Sequence, residues 1–394
     1  MNNKFFDLRS NKKELLMNFK NLDAFMEQMP ERGIPSCELA ITRNGETVYR
    51  KCVGFSDIEQ TVPTSENDVY WIFSATKVIT CIAAMQLIER GVIALDDAVS
   101  KYFPEFDKLS ILQKDGSVVP AENTMTVEHL FTMTGGLSYN LKDPYIQEAI
   151  VNSPSTLDVV RSMARSPLLF EPGTRYRYSL CHDILAGVIE VASGVKFSEY
   201  LKKNIFEPLG IVDMGFFPNE EQTERFSAMY NYKNGIARAF PREVISNAYM
   251  LSPEYESGGA GLFATVNEYI KIITAIACGG VCPNGHRLLS EESIKLMQEN
   301  HLCEKALNDF VSSRLYGYGW GLCGRVHMNP VTSLSLAPVG EFGWDGAAGA
   351  FVMIDRKNQI ALYFGTHVFN CNYAYNVIHP TIRNLVYEAL GANE

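Results

Sequence analysis

Two hairpin patterns lie near opposite ends of this 394-residue chain, and they constrain its fold more than any other feature. The first, CELAITRNGETVYRKCVG at 37–54, joins two alternating runs through Asn44-Gly45, the strongest short signal for a two-residue hairpin turn. The second, AFVMIDRKNQIALYFGTHV at 350–368, sets two β-rich runs around a polar stretch at 356–359. Each hairpin is flanked by a helical pattern. Residues 12–29 carry Leu15, Phe19, Leu22, Met26 and Met29 at steps of three and four, closed by Pro30, and residues 373–390 return to helical spacing. Helix and hairpin at one end, hairpin and helix at the other, predict an α+β fold: one antiparallel sheet built from both termini and flanked by helices. The middle of the chain reads as mainly helical with long loops. Its helices are expected at 77–90, 157–165, 182–193 and 266–278, with Gly91, Gly194 and Gly279 as stops. The expected organisation is a discontinuous α/β sheet domain, residues 1–73 and 310–394, interrupted by a mainly helical domain of residues 74–309. A cleft between two such parts is a common place for a site.

Composition narrows the function classes. The chain is 46% apolar and 20% charged, ordinary values for a soluble globular protein. A net charge of -10 argues against a nucleic-acid partner. The longest charge-free apolar-rich run, 78–88, is too short to span a bilayer. The first residues, MNNKFFDLRSNKKELL, show neither an apolar core nor a small-residue cleavage site, so the expected location is the cytoplasm. Nine scattered cysteines, with Cys278 and Cys282 four apart, predict reduced, buried thiols rather than disulfides or a zinc site.

The chemistry centres on YWIFSATKVIT at 70–80. S-x-x-K occurs three times, at Ser10–Lys13, Ser74–Lys77 and Ser193–Lys196, so the spacing alone decides little. Ser74 differs in its seat between an apolar strand-like run and the first turn of an apolar helix. A serine must lose its proton to a nearby base before it can attack. Residues i and i+3 of a helix share a face, so the Lys77 amine can reach the Ser74 hydroxyl. Burial and the positive end of a helix both disfavour an ammonium, and the same helix start offers N–H groups to an oxyanion. The spacing suits equally an N-cap serine beside a solvated lysine. Other signatures are missing: the sequence has no G-x-S-x-G and no H-E-x-x-H, and its seven histidines show no ligand spacing. Gly319, Gly321 and Gly324 match G-x-G-x-x-G, but their surroundings alternate as a strand and no βαβ unit follows. In RYRYSLCHD, Tyr178 follows a Pro172-Gly173 turn and could either shuttle a proton or simply pack.

Six stretches in order carry a resemblance: SATK at 74–77, MTVEHLFTMTGGLSYN at 125–140, FEPGTRYRYS at 170–179, SGGAGLFAT at 257–265, YGYGW at 316–320 and GWDGAAGAFVMID at 343–355. Together they resemble the serine hydrolases related to class C β-lactamases, a penicillin-binding-protein-like group. It includes D-alanyl-D-alanine carboxypeptidases, D-aminopeptidases and family VIII carboxylesterases. The resemblance implies Ser74 as nucleophile, Lys77 as its partner and Tyr178 as general base. It implies an oxyanion hole from the N–H groups of Ser74 and Ala347. It also implies substrate contacts from Asn140 and from Trp344, Asp345 and Gly346. Three departures stand out: Leu180 replaces an asparagine, Trp344 a lysine and Asp345 a threonine. An Asp345 pointing into the cleft would repel substrate carboxylates, whereas one paired with an arginine would not. Trp344 would offer an apolar wall. The expectation is an esterase acting on small neutral ester or amide substrates, with no metal or cofactor. The alternatives are β-lactam or D-amino-acid peptide hydrolysis, and a catalytically silent ligand-binding homologue.

Overall fold

The computed structural model describes residues 17–151, 155–311 and 315–391. The two ends of the chain meet in one seven-stranded antiparallel sheet. Its strands are β1 (Ser36–Arg43), β2 (Glu46–Gly54), β3 (Tyr318–Trp320), β4 (Arg325–His327), β5 (Phe342–Gly343), β6 (Phe351–Asp355) and β7 (Ile360–Thr366), in spatial order β3-β4-β5-β6-β7-β1-β2. β1 pairs with β7 from Cys37 opposite Thr366 to Arg43 opposite Ile360. The Asn44-Gly45 turn holds both residues at positive φ, 53° and 86°, the geometry that Asn-Gly tolerates in a tight hairpin.

Period-2 alternation sorts the sheet's side chains between two cores. On one face Leu39, Ile41, Leu362 and Phe364 pack against the terminal helices α1 (Lys20–Glu27) and α5 (His379–Leu390), through Leu22, Met26, Ile382 and Val386. On the other, Ala40, Val352, Ile354 and Tyr363 meet α4 (Val266–Ala277), where Tyr269 stacks on Tyr363 at 4.2 Å. Each such side chain contributes about 1.5–3 kcal/mol when fully buried.

Between the hairpins, α2 (Thr76–Glu89) is buried from residue 76 to residue 87, as a helix that is apolar all round must be. It packs beside α3 (Cys181–Ser193), which ends at Gly194 with φ 73°. A second, three-stranded sheet joins Val69–Trp71, Phe263–Thr265 and Met214–Gly215. It brings the start of α2 beside the SGGAG segment, and Ile72 N donates to Leu262 O at 3.1 Å.

The helical pattern at 373–390 is met without a gap: a wide helical turn at Ala374–Ile378 runs directly into α5, where Pro380 lacks the N–H that a regular helix would have used. Two expectations need correction. The N-terminal helix begins at Lys20, and residues 12–16 of the expected span lie outside the described residues. The cysteines are all free, but Cys303 is exposed and Cys52 and Cys278 are half-buried. Among the described residues, no helix is long and apolar enough to cross a membrane.

Candidate active site

Ser74 sits where strand Val69–Trp71 turns into α2, in a single tight turn at Phe73–Ala75. The turn depends on Phe73, a non-glycine residue at φ 46°. That conformation costs about 1–2 kcal/mol. Burial of the ring against Phe369 at 4.8 Å and Tyr249 at 5.9 Å offsets it. The strand ahead of the turn is held by His367, whose Nε2 accepts from Trp71 N at 2.9 Å while Nδ1 donates to Ser227 O at 3.0 Å. Burial pushes His367 down to about 4, so the ring is neutral and can accept that bond. Ser74 opens onto a cavity of about 460 Å³.

Lys77 lies one turn on and is fully buried. Its Nζ donates to Ser74 Oγ at 3.3 Å and to Gly259 O at 2.6 Å. It also rests over the rings of Tyr178 at 4.7 Å and Tyr139 at 5.4 Å. Two aromatic faces and a carbonyl thus surround an amine that points at a serine hydroxyl. The Tyr178 hydroxyl accepts from Trp344 Nε1 at 3.0 Å, rather than bonding Ser74. Trp344 is itself fixed edge-on to Trp320 at 4.5 Å. The sequence motifs 70–80, 170–179 and 343–355 therefore converge on one cavity.

The segment after β5 supplies the opposite wall. Gly346 N donates to Ala350 O at 2.9 Å and Gly349 N returns to Gly346 O at 3.0 Å. The Tyr375 hydroxyl lies 2.8 Å from the carbonyl oxygens of both Gly346 and Ala347, which it clamps. Among the described residues, neither Ser74 N nor Ala347 N donates to a backbone carbonyl, and both residues line the cavity. Only glycine fits at 346, because a Cβ there would stand 2.5 Å from Ile72 O.

Of the two readings left open for Asp345 the structure takes the arginine-paired one, and Asn140 departs from expectation. Asp345 borders the cavity, but its Oδ1 is 2.7 Å from Arg325 Nη1 and its Oδ2 is 3.6 Å from His379 Nδ1. Its charge is matched by a buried guanidinium, so repulsion of substrate carboxylates does not follow. Asn140 is exposed, accepts from Lys142 N at 3.1 Å, and lines a separate crevice with Leu137, Asp143 and Leu180. Its neighbour Tyr139 faces the cavity instead, stacked on Tyr178 at 5.5 Å and 6°. Successive side chains of an extended segment point to opposite sides, so a motif match cannot say which of the two enters. Tyr249 and Tyr375 also line the cavity, and neither belongs to a motif legible in the sequence.

Comparison with known proteins gives the family. Esterase EstB of Burkholderia gladioli is 29% identical over 377 residues, covering 88% of this chain and 89% of EstB. Lovastatin esterase of Penicillium rubens is 28% identical over 353 residues, 82% of this chain and 85% of its own. Among solved structures EstCE1, described as a hydrolase with promiscuous acyltransferase activity, has a TM-score of 0.76 at 22% identity. It covers 94% of this chain and 97% of its own, and the likeness is one of fold. The family model described as Beta-lactamase matches residues 21–377, nearly the whole length. The chain belongs to the β-lactamase family and is a serine hydrolase with the penicillin-binding-protein-like fold.

Proposed function

We propose that this hydrolase is an esterase that cleaves small neutral esters through an acyl-enzyme on Ser74. One observation carries the substrate preference. Among the described residues, the cavity at Ser74 is lined largely by aromatic rings and by no cationic side chain. Tyr139, Tyr178, Tyr249, Phe310 and Trp344 give an acyl or alcohol group an apolar wall. A β-lactam or a D-alanyl peptide brings a carboxylate, and leaving that charge unpartnered costs about 3 kcal/mol, on the order of 100-fold in rate.

In the proposed scheme Lys77 and Tyr178 take the Ser74 proton as Oγ attacks the ester carbonyl carbon. The oxyanion forms within reach of Ser74 N and Ala347 N. As the tetrahedral intermediate collapses, the C–O bond to the alcohol breaks and the held proton passes to the leaving oxygen. Water then gives a proton to the same base and attacks the acyl carbon. Collapse releases the acid and returns the proton to Ser74. Trp344 acts by fixing the Tyr178 hydroxyl, with its indole N–H at 3.0 Å.

The test compares kcat/KM for a short-chain aryl ester, a chromogenic cephalosporin and a D-alanyl peptide. The ester should lead by about 100-fold, the factor set by the unpaired carboxylate. A cephalosporin rate above the ester rate would reverse the assignment. Inertness toward all three would point to a silent ligand-binding homologue.

A further inference from the structure

Lys77 is held at Ser74 by a carbonyl, and that carbonyl is itself held by a residue outside every catalytic role given above. Asp183, in the first turn of α3, is 1% exposed. Its Oδ1 accepts from Tyr255 Oη at 2.8 Å, from Ser257 Oγ at 2.6 Å and from Gly259 N at 3.3 Å. The other face of the Gly259 residue presents its carbonyl to Lys77 Nζ at 2.6 Å. One residue earlier, Gly258 O receives the Thr80 hydroxyl at 2.7 Å, so the loop is pinned to α2 at two successive carbonyls.

The glycines explain how the loop comes so close. A Cβ on Gly259 would lie 2.4 Å from Asp183 Oδ2, and one on Gly258 would lie 2.5 Å from His182 O. Residues 258 and 259 must therefore be glycine for the loop to lie between α2 and α3. A buried carboxylate is costly to desolvate, and three donors converging on one oxygen offset that cost. Among the described residues Asp183 Oδ2 has no hydrogen-bond partner, so Oδ1 does the anchoring.

We infer that Asp183 is a positioning residue: through Oδ1 it fixes Gly259, and the Gly259 carbonyl fixes the Lys77 amine against Ser74. The inference rests on the reading of Ser74 and Lys77 as nucleophile and base. It predicts a split between two substitutions. Asp183→Asn keeps an oxygen that can accept the same three bonds, so turnover of the aryl ester stays within roughly fivefold of wild type, the scale of one weakened hydrogen bond. Asp183→Ala frees the loop, and kcat falls by about 100-fold, the lower range for a misplaced general base, with KM little changed. Ser257→Ala removes one of the three donors and should fall between them, which keeps the test open if Asp183→Ala does not fold.

A second readout needs no turnover. Lys77 Nζ lies over two tyrosine rings, so the NMR signal of the adjoining ε-methylene in lysine-labelled protein should be displaced by their ring currents. Asp183→Ala should lose that displacement and Asp183→Asn should keep it. An Asp183→Ala protein with wild-type kcat and an unmoved Lys77 signal overturns the inference. So does an Asp183→Asn protein as impaired as Asp183→Ala, or a Ser257→Ala protein indistinguishable from wild type. If wild-type protein cleaves no ester, the reading of Ser74 falls, and the Lys77 signal still judges Asp183.

Discussion

A carboxylate at the wall of an apolar cavity repels anionic ligands only while its charge is uncompensated. Asp345 is compensated, by Arg325 at 2.7 Å, and Arg325 also donates to Val352 O at 2.8 Å. Asp345 therefore ties the wall segment of the cavity to β4 and β6. Asp345→Thr, which restores the residue type usual in the resembled strand, should lose about 2 kcal/mol of unfolding free energy by removing the nearer of two carboxylates on a buried guanidinium, which keeps Glu341 at 3.5 Å. Urea denaturation measures this. Carboxylate-bearing substrates should gain nothing, and improved cephalosporin turnover without loss of stability would contradict the account. Ser74, Lys77 and Trp344 were legible in the sequence because each sits in a motif whose spacing or chemistry is local. Tyr139 was not, because one residue's shift in an extended segment exchanges it with Asn140. The Asp345–Arg325 pair was not either, since nothing in sequence joins residues on neighbouring strands.

At the scale of elements, the candidate site depends on two short segments pressed together. The turn at Phe73–Ala75 and the segment after β5 touch at Gly346, where a Cβ would meet Ile72 O at 2.5 Å. Gly346→Ala must push the segment away from Ser74 and with it Ala347 N. Loss of one proposed oxyanion donor is expected to lower kcat by about 100- to 1000-fold. Steady-state kinetics with the aryl ester checks this, and a kcat within threefold of wild type would place the oxyanion hole elsewhere. Both hairpins and the helices ending at Gly91 and Gly194 were readable because turn and stop chemistry is carried by adjacent residues. The three-residue strand Val69–Trp71 was visible only as an apolar run. Its partner Phe263–Thr265 lies far along the chain, and a strand that short carries no period of its own. The wide turn that opens the C-terminal helix lies just ahead of Pro380, whose missing N–H periodicity alone passes over.

At the scale of the whole molecule, the C-terminal end of the main sheet is joined to the strand ahead of Ser74 through His367. It accepts from Trp71 N at 2.9 Å, and burial pushes it down to about 4 from its ordinary 6.5. The unfolded chain binds this proton below about 6.5, while the folded state refuses it until about 4. The stabilisation is therefore complete above 6.5 and is lost as pH falls toward 4, at up to ~1.4 kcal/mol per pH unit. The difference in unfolding free energy between wild type and His367→Gln should shrink across that window. A difference that is constant with pH would contradict it. The overall α+β plan, with one antiparallel sheet built from both termini, was legible because both ends announce themselves as hairpins. The cavity's aromatic wall was not, because Tyr139, Tyr249, Phe310 and Tyr375 come from four separate regions. The central claim is that Ser74 carries the acyl group, and mass spectrometry of protein quenched during turnover of an aryl butyrate tests it directly. The account predicts one butyryl group on the peptide containing Ser74, and neither adduct nor turnover in Ser74→Ala. Ester turnover that survives Ser74→Ala, or an acyl group on any other residue, would contradict it.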